Sequence, residues 1–137
     1  MVNRCRGFTL MEVLVTVGIL SILGMIALPT YFNYLTESRR AEAHTTLLAL
    51  AQAQEQWFTN NNTYTGTVGN LTPLIPAIIA NNVNQGNYTF QITVANGTTF
   101  TVQADAVAGG PQAGDTGCTS ITLTAAGAQG PAGCWID

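Results

Sequence analysis

Catalysis needs nucleophiles, bases or metal ligands at spacings that let them converge, and this sequence offers few. It has one histidine (His44), three cysteines (Cys5, Cys118, Cys134), seven carboxylates, four arginines and no lysine. It carries no Ser/His/Asp set, no phosphate-binding Gly-Lys motif and no His/Cys cluster at metal-ligand spacing. Asp105 and Asp115 flank a glycine-rich stretch. Two carboxylates fall well short of the roughly 6–8 oxygen ligands that calcium takes. His44 sits among helix-patterned residues and is expected to be structural or solvated. The reading is therefore not an enzyme, with no cofactor and no metal.

Charge narrows the partners. The cations are Arg4, Arg6, Arg39 and Arg40, and the formal net charge is −3. Neutralising phosphates requires clustered Lys and Arg, so direct nucleic-acid binding is not expected. Only 8% of residues are charged while 47% are hydrophobic, against a usual ~25% charged. A charge-driven disordered chain is excluded.

One acid stands where acids are costly. Residues 8–28, FTLMEVLVTVGILSILGMIAL, contain a single ionisable side chain, Glu12. A helix of this run would be roughly 32 Å long, enough for a bilayer core of ~30 Å. Arg4 and Arg6 precede it, which places that end in the cytoplasm. A secretory signal would have a shorter apolar stretch and a small-residue cleavage site. Here the run ends in Leu-Pro-Thr-Tyr, which favours a retained segment. A carboxylate near the middle of a span costs about 2.5–3.5 kcal/mol, less near the interface. Glu12 either sits near the headgroups, eased by the helix N-terminus, or meets a cation. A cut just before Phe8 would create such a cation, an ammonium four residues away.

The stretch Gly7-Phe8-Thr9-Leu10-Met11-Glu12, its basic leader, the following apolar run and Pro29 resemble the class III signal of type IV pilins and pseudopilins. The resemblance covers about residues 1–40. It implies a prepilin peptidase that cuts between Gly7 and Phe8 and methylates the Phe8 amine. It implies that Glu12 pairs with the Phe8 amine of a neighbouring subunit as the helix moves from the inner membrane into a filament. The partners implied are other pilin subunits, the peptidase and the pilus assembly machinery, and the destination is an extracellular pilus. Adhesion and twitching motility belong to the same implication. Removing Arg4 and Arg6 would take the formal side-chain charge from −3 to −5. The alternatives are a type II secretion pseudopilin and a permanently anchored exported binding domain.

The expected fold is α+β: a long N-terminal helix packed on a small antiparallel sheet, with a C-terminal disulfide loop. The parts are a leader at 1–7, an apolar helix at 8–28 and an exported portion at 29–137. Pro29 lacks an N–H and should kink or loosen the helix, and Gly18, Ser21 and Gly24 permit close helix approach. Residues 34–58 read as an amphipathic helix with Ala43, Leu47, Leu50, Ala51, Trp57 and Phe58 inward. A Glu37–Arg40 pair is expected on its polar side. Residues 59–62 break the helix, and a long connection runs to about Asn87. Within it Tyr64, Leu71, Leu74, Ile75, Ile78 and Ile79 are candidates to pack on the domain.

Tyr88, Phe90, Ile92 and Val94 alternate with polar residues, as do Phe100, Val102 and Ala104, so a hairpin is expected. A three-residue loop, Ala95-Asn96-Gly97, would pair Ile92 with Phe100 and Phe90 with Val102 and put Gly97 at a left-handed bulge. A third strand is expected around Cys118–Thr124, with Ile121 and Leu123 on one face, and a short last strand at Trp135–Ile136. Cys118 and Cys134 lie on the exported side, where disulfides persist; a bridge there would be worth about 3 kcal/mol, and the alternative is two free thiols. Four Asn-x-Thr sequons begin at Asn61, Asn70, Asn87 and Asn96. A chain rich in Thr and Asn produces these by chance.

Overall fold

The computed structural model describes residues 8–75 and 86–135. Gly7, Ile78, Ile79 and Ile136 therefore lie outside the described residues. The order of elements is α1 (Leu10–Asn61), α2 (Val68–Leu71), β1 (Tyr88–Ala95), β2 (Phe100–Ala106), β3 (Ser120–Thr124) and β4 (Gln129–Gly130). The contacts divide the chain between Leu35 and Thr36.

The apolar and amphipathic runs form one 52-residue helix, the long N-terminal helix expected. Pro29 lies inside it, and the helix continues through it. Proline deletes one N–H from the ladder, and the next residue, Thr30, donates its hydroxyl to the Ile26 carbonyl at 3.1 Å. At the far end Asn62 takes a left-handed conformation (φ 53°) and its N–H bonds to the Phe58 carbonyl at 2.8 Å. Asparagine tolerates this conformation better than most residues, so the helix stops within the expected 59–62.

In the second unit, Ala43, Leu47, Leu50 and Ala53 of α1 meet Leu71 of α2 and Tyr88, Phe100, Val102, Ala104, Ile121 and Leu123 of the sheet. Trp57 and Ala51 pack at the margin of this core. The expected inward face of the helix thus holds, with Gln54, Thr46 and His44 buried beside it. Leu71 is fully buried, while Leu74 is exposed. Tyr64 stacks on Phe58 (4.7 Å between rings) and meets Phe100 edge-on (4.8 Å).

The sheet is an antiparallel meander, β1-β2-β3-β4. Val102 lies opposite Leu123 and Ala104 opposite Ile121, so Ile121 and Leu123 share the buried face as expected. The β1–β2 register differs from expectation. Ile92 pairs with Val102 and Phe90 with Ala104, and the register shifts between Ile92 and Val94. The loop holds four residues, Asn96 to Thr99, between paired Ala95 and Phe100. Asn96 organises it: its Oδ1 accepts from the Thr98 and Thr99 amides at 2.8 and 2.9 Å. Gly97 is not left-handed. A side-chain oxygen has taken the role assigned to a glycine, and the irregularity near Thr93 places Ala95 opposite buried Phe100 and leaves Val94 exposed. Among the described residues the last strand is Gln129–Gly130, paired with β3, and Trp135 lies outside any strand. Trp135 packs against the core instead.

Candidate functional site

The helix start is built by Thr9 and Glu12. The Glu12 amide donates to Thr9 Oγ1 at 3.2 Å and the Val13 amide to the Thr9 carbonyl at 3.3 Å. Thr-x-x-Glu at a helix entrance is the sequence form of a capping box, a signal the apolar run had masked. It puts Glu12 in the first turn, where the helix dipole favours a carboxylate. Phe8 is 83% exposed and precedes Glu12 by four residues, about one helical turn.

Beyond Glu12 the first unit presents apolar side chains all round. Leu10, Met11, Leu14, Leu20, Ile22, Met25 and Ile26 are each more than half exposed. The hydroxyls among them are satisfied within the helix: Thr16 donates to the Val13 carbonyl and Ser21 to the Val17 carbonyl. Such a surface leaves no unpaired side-chain hydroxyl at these positions to oppose lipid or another helix. It is the one helix among the described residues long and apolar enough to cross a membrane.

The second unit carries the disulfide. Cys118 and Cys134 are bonded, with Cα atoms 5.4 Å apart, so the expectation of a C-terminal disulfide loop holds. The loop is fastened to α1 by polar groups. Arg40 binds Asp115 through two hydrogen bonds, Nη2 to Oδ1 at 2.7 Å and Nε to Oδ2 at 3.1 Å. This pairing replaces the expected Glu37–Arg40 pair; a bidentate carboxylate held by the fold outcompetes a helical neighbour. Gln112, fully buried, donates to the Thr36 carbonyl at 3.2 Å and to the Tyr88 hydroxyl at 3.0 Å. Burial pushes the Tyr88 phenol above its ordinary value. His44 stacks on Trp135 with ring centres 4.3 Å apart and planes 7° from parallel. Burial lowers the His44 pKa, and nearby Arg40 adds to the effect against a hydrogen bond with the Cys134 backbone.

The two carboxylates considered for calcium are committed elsewhere. Asp115 holds Arg40, and Asp105 accepts from Gln91 at 2.6 Å and Gln103 at 2.7 Å on the outer face of the sheet. No group of three or more metal-ligating side chains occurs among the described residues. The sequons differ in setting: Asn87 is buried, while Asn61, Asn70 and Asn96 are exposed.

A helix that begins with a capped Glu12, runs apolar past Pro29 and then supports a four-stranded meander with a C-terminal disulfide has counterparts among known proteins. Residues 29–122 match the family model described as type IV minor pilin ComP, DNA uptake sequence receptor. The chain belongs to the type IV pilin family. Residues 2–28 of this pilin match the prokaryotic N-terminal methylation motif. It is 41% identical over 61 residues to the type IV major pilin protein PilA of Myxococcus xanthus, covering 44% of this chain and 28% of that protein. It is 32% identical over 103 residues to the type IV major pilin protein PilE1 of Neisseria gonorrhoeae, covering 74% of this chain and 46% of that protein. The pilin thus spans less than half the length of these relatives. Its fold is similar to a type IV pilin structure from Shewanella oneidensis, with a TM-score of 0.50 and 22% identity, covering 74% of this chain and 99% of the other.

Proposed function

We propose that this pilin is a structural subunit of a type IV pilus, cleaved between Gly7 and Phe8, methylated on the Phe8 amine and polymerised through the first half of α1. The observation that carries this reading is Glu12 in the first turn of an exposed apolar helix, four residues beyond Phe8. A carboxylate so placed needs a cation once water is excluded, and the new ammonium of a neighbouring Phe8 supplies one. Before assembly the apolar run anchors the chain in the inner membrane with its N-terminus cytoplasmic. Afterwards the same surface packs against other subunits, and Pro29 belongs to the packed segment. The peptidase and the assembly machinery are the partners this sequence of events requires. Adhesion and twitching motility are the roles such a filament supports.

The test is mass spectrometry of sheared surface filaments. A fragment beginning at N-methylated Phe8 is expected. Processed chain confined to the membrane fraction would favour a secretion pseudopilus, and a chain retaining Met1–Gly7 would favour a permanently anchored domain. Replacing Gly7 by a bulky residue should block processing. Glu12→Ala should insert in the membrane yet enter filaments poorly; normal incorporation refutes the Glu12–amine pairing.

The matched family's description favours a second reading, receptor for a DNA uptake sequence. The charges favour the first. Among the described residues Arg40 is committed to Asp115, which leaves Arg39 as the arginine outside an ion pair, beside exposed Glu37 and Glu42. Phosphate neutralisation sets most of the affinity for a duplex. The full chain in detergent should bind duplex DNA poorly at physiological salt, measured by fluorescence anisotropy. Tight, salt-sensitive binding would establish the receptor reading.

A further inference from the structure

Three residues at successive turns of α1, Thr36, Arg40 and His44, receive the C-terminal part of the chain. The Thr36 carbonyl takes Gln112, Arg40 takes Asp115, and His44 takes Trp135 and the Cys134 backbone. The first two contacts hold the loop before the disulfide, and the third holds the segment after it. The third alone depends on a group that changes charge near neutral pH.

The surroundings of His44 admit the neutral ring. The residue is 7% exposed, and its Nε2 is buried without a hydrogen-bond partner. A second proton on the ring would place a charged N–H where nothing accepts it. On α1 the nearest charge is Arg40, of the same sign. On the loop after β2, Asp115 is already bound by the Nε and Nη2 of Arg40. Of the C-terminal segment, the described residues against His44 are Trp135, stacked on the ring, and Cys134, whose backbone hydrogen bond favours the charged ring by less than burial disfavours it. The Tyr88 phenol of β1 is engaged with Gln112. Among the described residues no carboxylate is paired with His44, and desolvation penalises an imidazolium.

We propose that His44 is a pH-sensitive latch: neutral, it holds Cys134 and Trp135 on α1, and protonated, it releases them and loosens the disulfide-bonded end of the domain. Opening requires no reduction of the disulfide, because Trp135 lies beyond Cys134. The latch is independent of the filament reading, since all its parts lie within residues 36–135. The direction follows from linkage. Docking binds fewer protons than the undocked state, so it is fully present above the ordinary histidine pKa of 6.5 and is lost as pH falls through the lowered docked value. Within that window the docking equilibrium falls by up to about tenfold per pH unit.

The test uses the full chain in detergent micelles carrying Trp57→Phe, which leaves Trp135 as the sole tryptophan. As His44 is the only histidine, one imidazole resonance reports its titration by NMR. The expected result is a midpoint below 6.5 and a red shift of Trp135 emission that follows the same curve. Exchange protection at the Cys134 amide should fall by up to about tenfold per pH unit across that window. In His44→Phe, which keeps a ring to stack, and in His44→Gln, which keeps a donor, the red shift should vanish. Two variants are used because either substitution alone could disturb folding, checked at neutral pH by circular dichroism. A midpoint at or above 6.5, emission that ignores the titration, or an unchanged red shift in a folded His44 variant would overturn the latch.

Discussion

Gln54 is a fully buried amide at the end of a helix face whose apolar members are Ala and Leu. Its Nε2 donates to the Thr65 carbonyl at 2.7 Å, and its Oε1 accepts from the Thr65 amide at 3.1 Å. The side chain thus mimics a strand partner and fixes the chain as it turns back after α1. Thr65 is itself buried, and its hydroxyl accepts from Asn70 Nδ2 at 2.9 Å. Gln54→Ala would leave the Thr65 amide and carbonyl without partners. Each orphaned buried group costs about 1–3 kcal/mol, and a cavity adds to this, so the expected loss is on the order of 3–5 kcal/mol. For a unit of roughly a hundred residues, 1 kcal/mol moves Tm by about 4–8 °C, so a fall of more than roughly 12 °C is expected. The assay is thermal unfolding of the full chain in detergent, followed by near-UV circular dichroism to report the second unit. Gln54→Glu sharpens the test. Its carboxylate can accept from the Thr65 amide but repels the Thr65 carbonyl, whereas the protonated acid can donate to it. The folded state then binds the extra proton more tightly, so the deficit against the unsubstituted chain should shrink as pH falls from 7 toward 4.5. The deficit of Gln54→Ala should show no such recovery. A cost below ~1 kcal/mol for the alanine, or a pH-independent deficit for the glutamate, would refute the amide pairing.

Three further outcomes follow from the geometry. Replacing Cys118 and Cys134 by Ser opens a link spanning 16 residues, so the guanidinium midpoint should fall by the equivalent of about 3 kcal/mol in the chain-entropy model; an unchanged midpoint contradicts it. Asp115→Asn strands an Arg40 side chain only 18% exposed and should cost on the order of 2–4 kcal/mol, with Arg40→Met/Asp115→Leu recovering much of it; a double-mutant cycle measures the coupling. Gly110→Ala would put a Cβ 2.7 Å from the Gly86 carbonyl oxygen and 3.0 Å from that of Val107, so the turn must open at a cost of about 1–3 kcal/mol, read as a lower Tm.

Features carried by near neighbours in the sequence were legible. The apolar run, the amphipathic face around Leu47 and Leu50, the helix stop before Asn62 and the alternation of Ile121 with Leu123 all follow from local periodicity and end signals. The register of β1 on β2 was legible only in its parity. Which faces pair depends on hydrophobic alternation, but the offset depends on how Asn96 folds the loop and where the strand takes an extra residue. Pro29 gave the opposite lesson. Its missing N–H weakens the ladder locally, yet the 52-residue helix does not end there.

The sequence by itself determined a helix fit for lipid or for other helices, an antiparallel sheet, two cysteines able to meet, and the signal from Gly7 to Glu12. The tertiary structure decided the fate of the polar residues. Arg40 finds Asp115 across 75 positions and Gln112 reaches Thr36 across 76, while His44 meets Trp135. A charge or amide has no periodicity that names its partner. Whether it becomes solvated surface, clamp or latch depends on which groups the folded chain brings within about 3 Å and how much water it removes from around them.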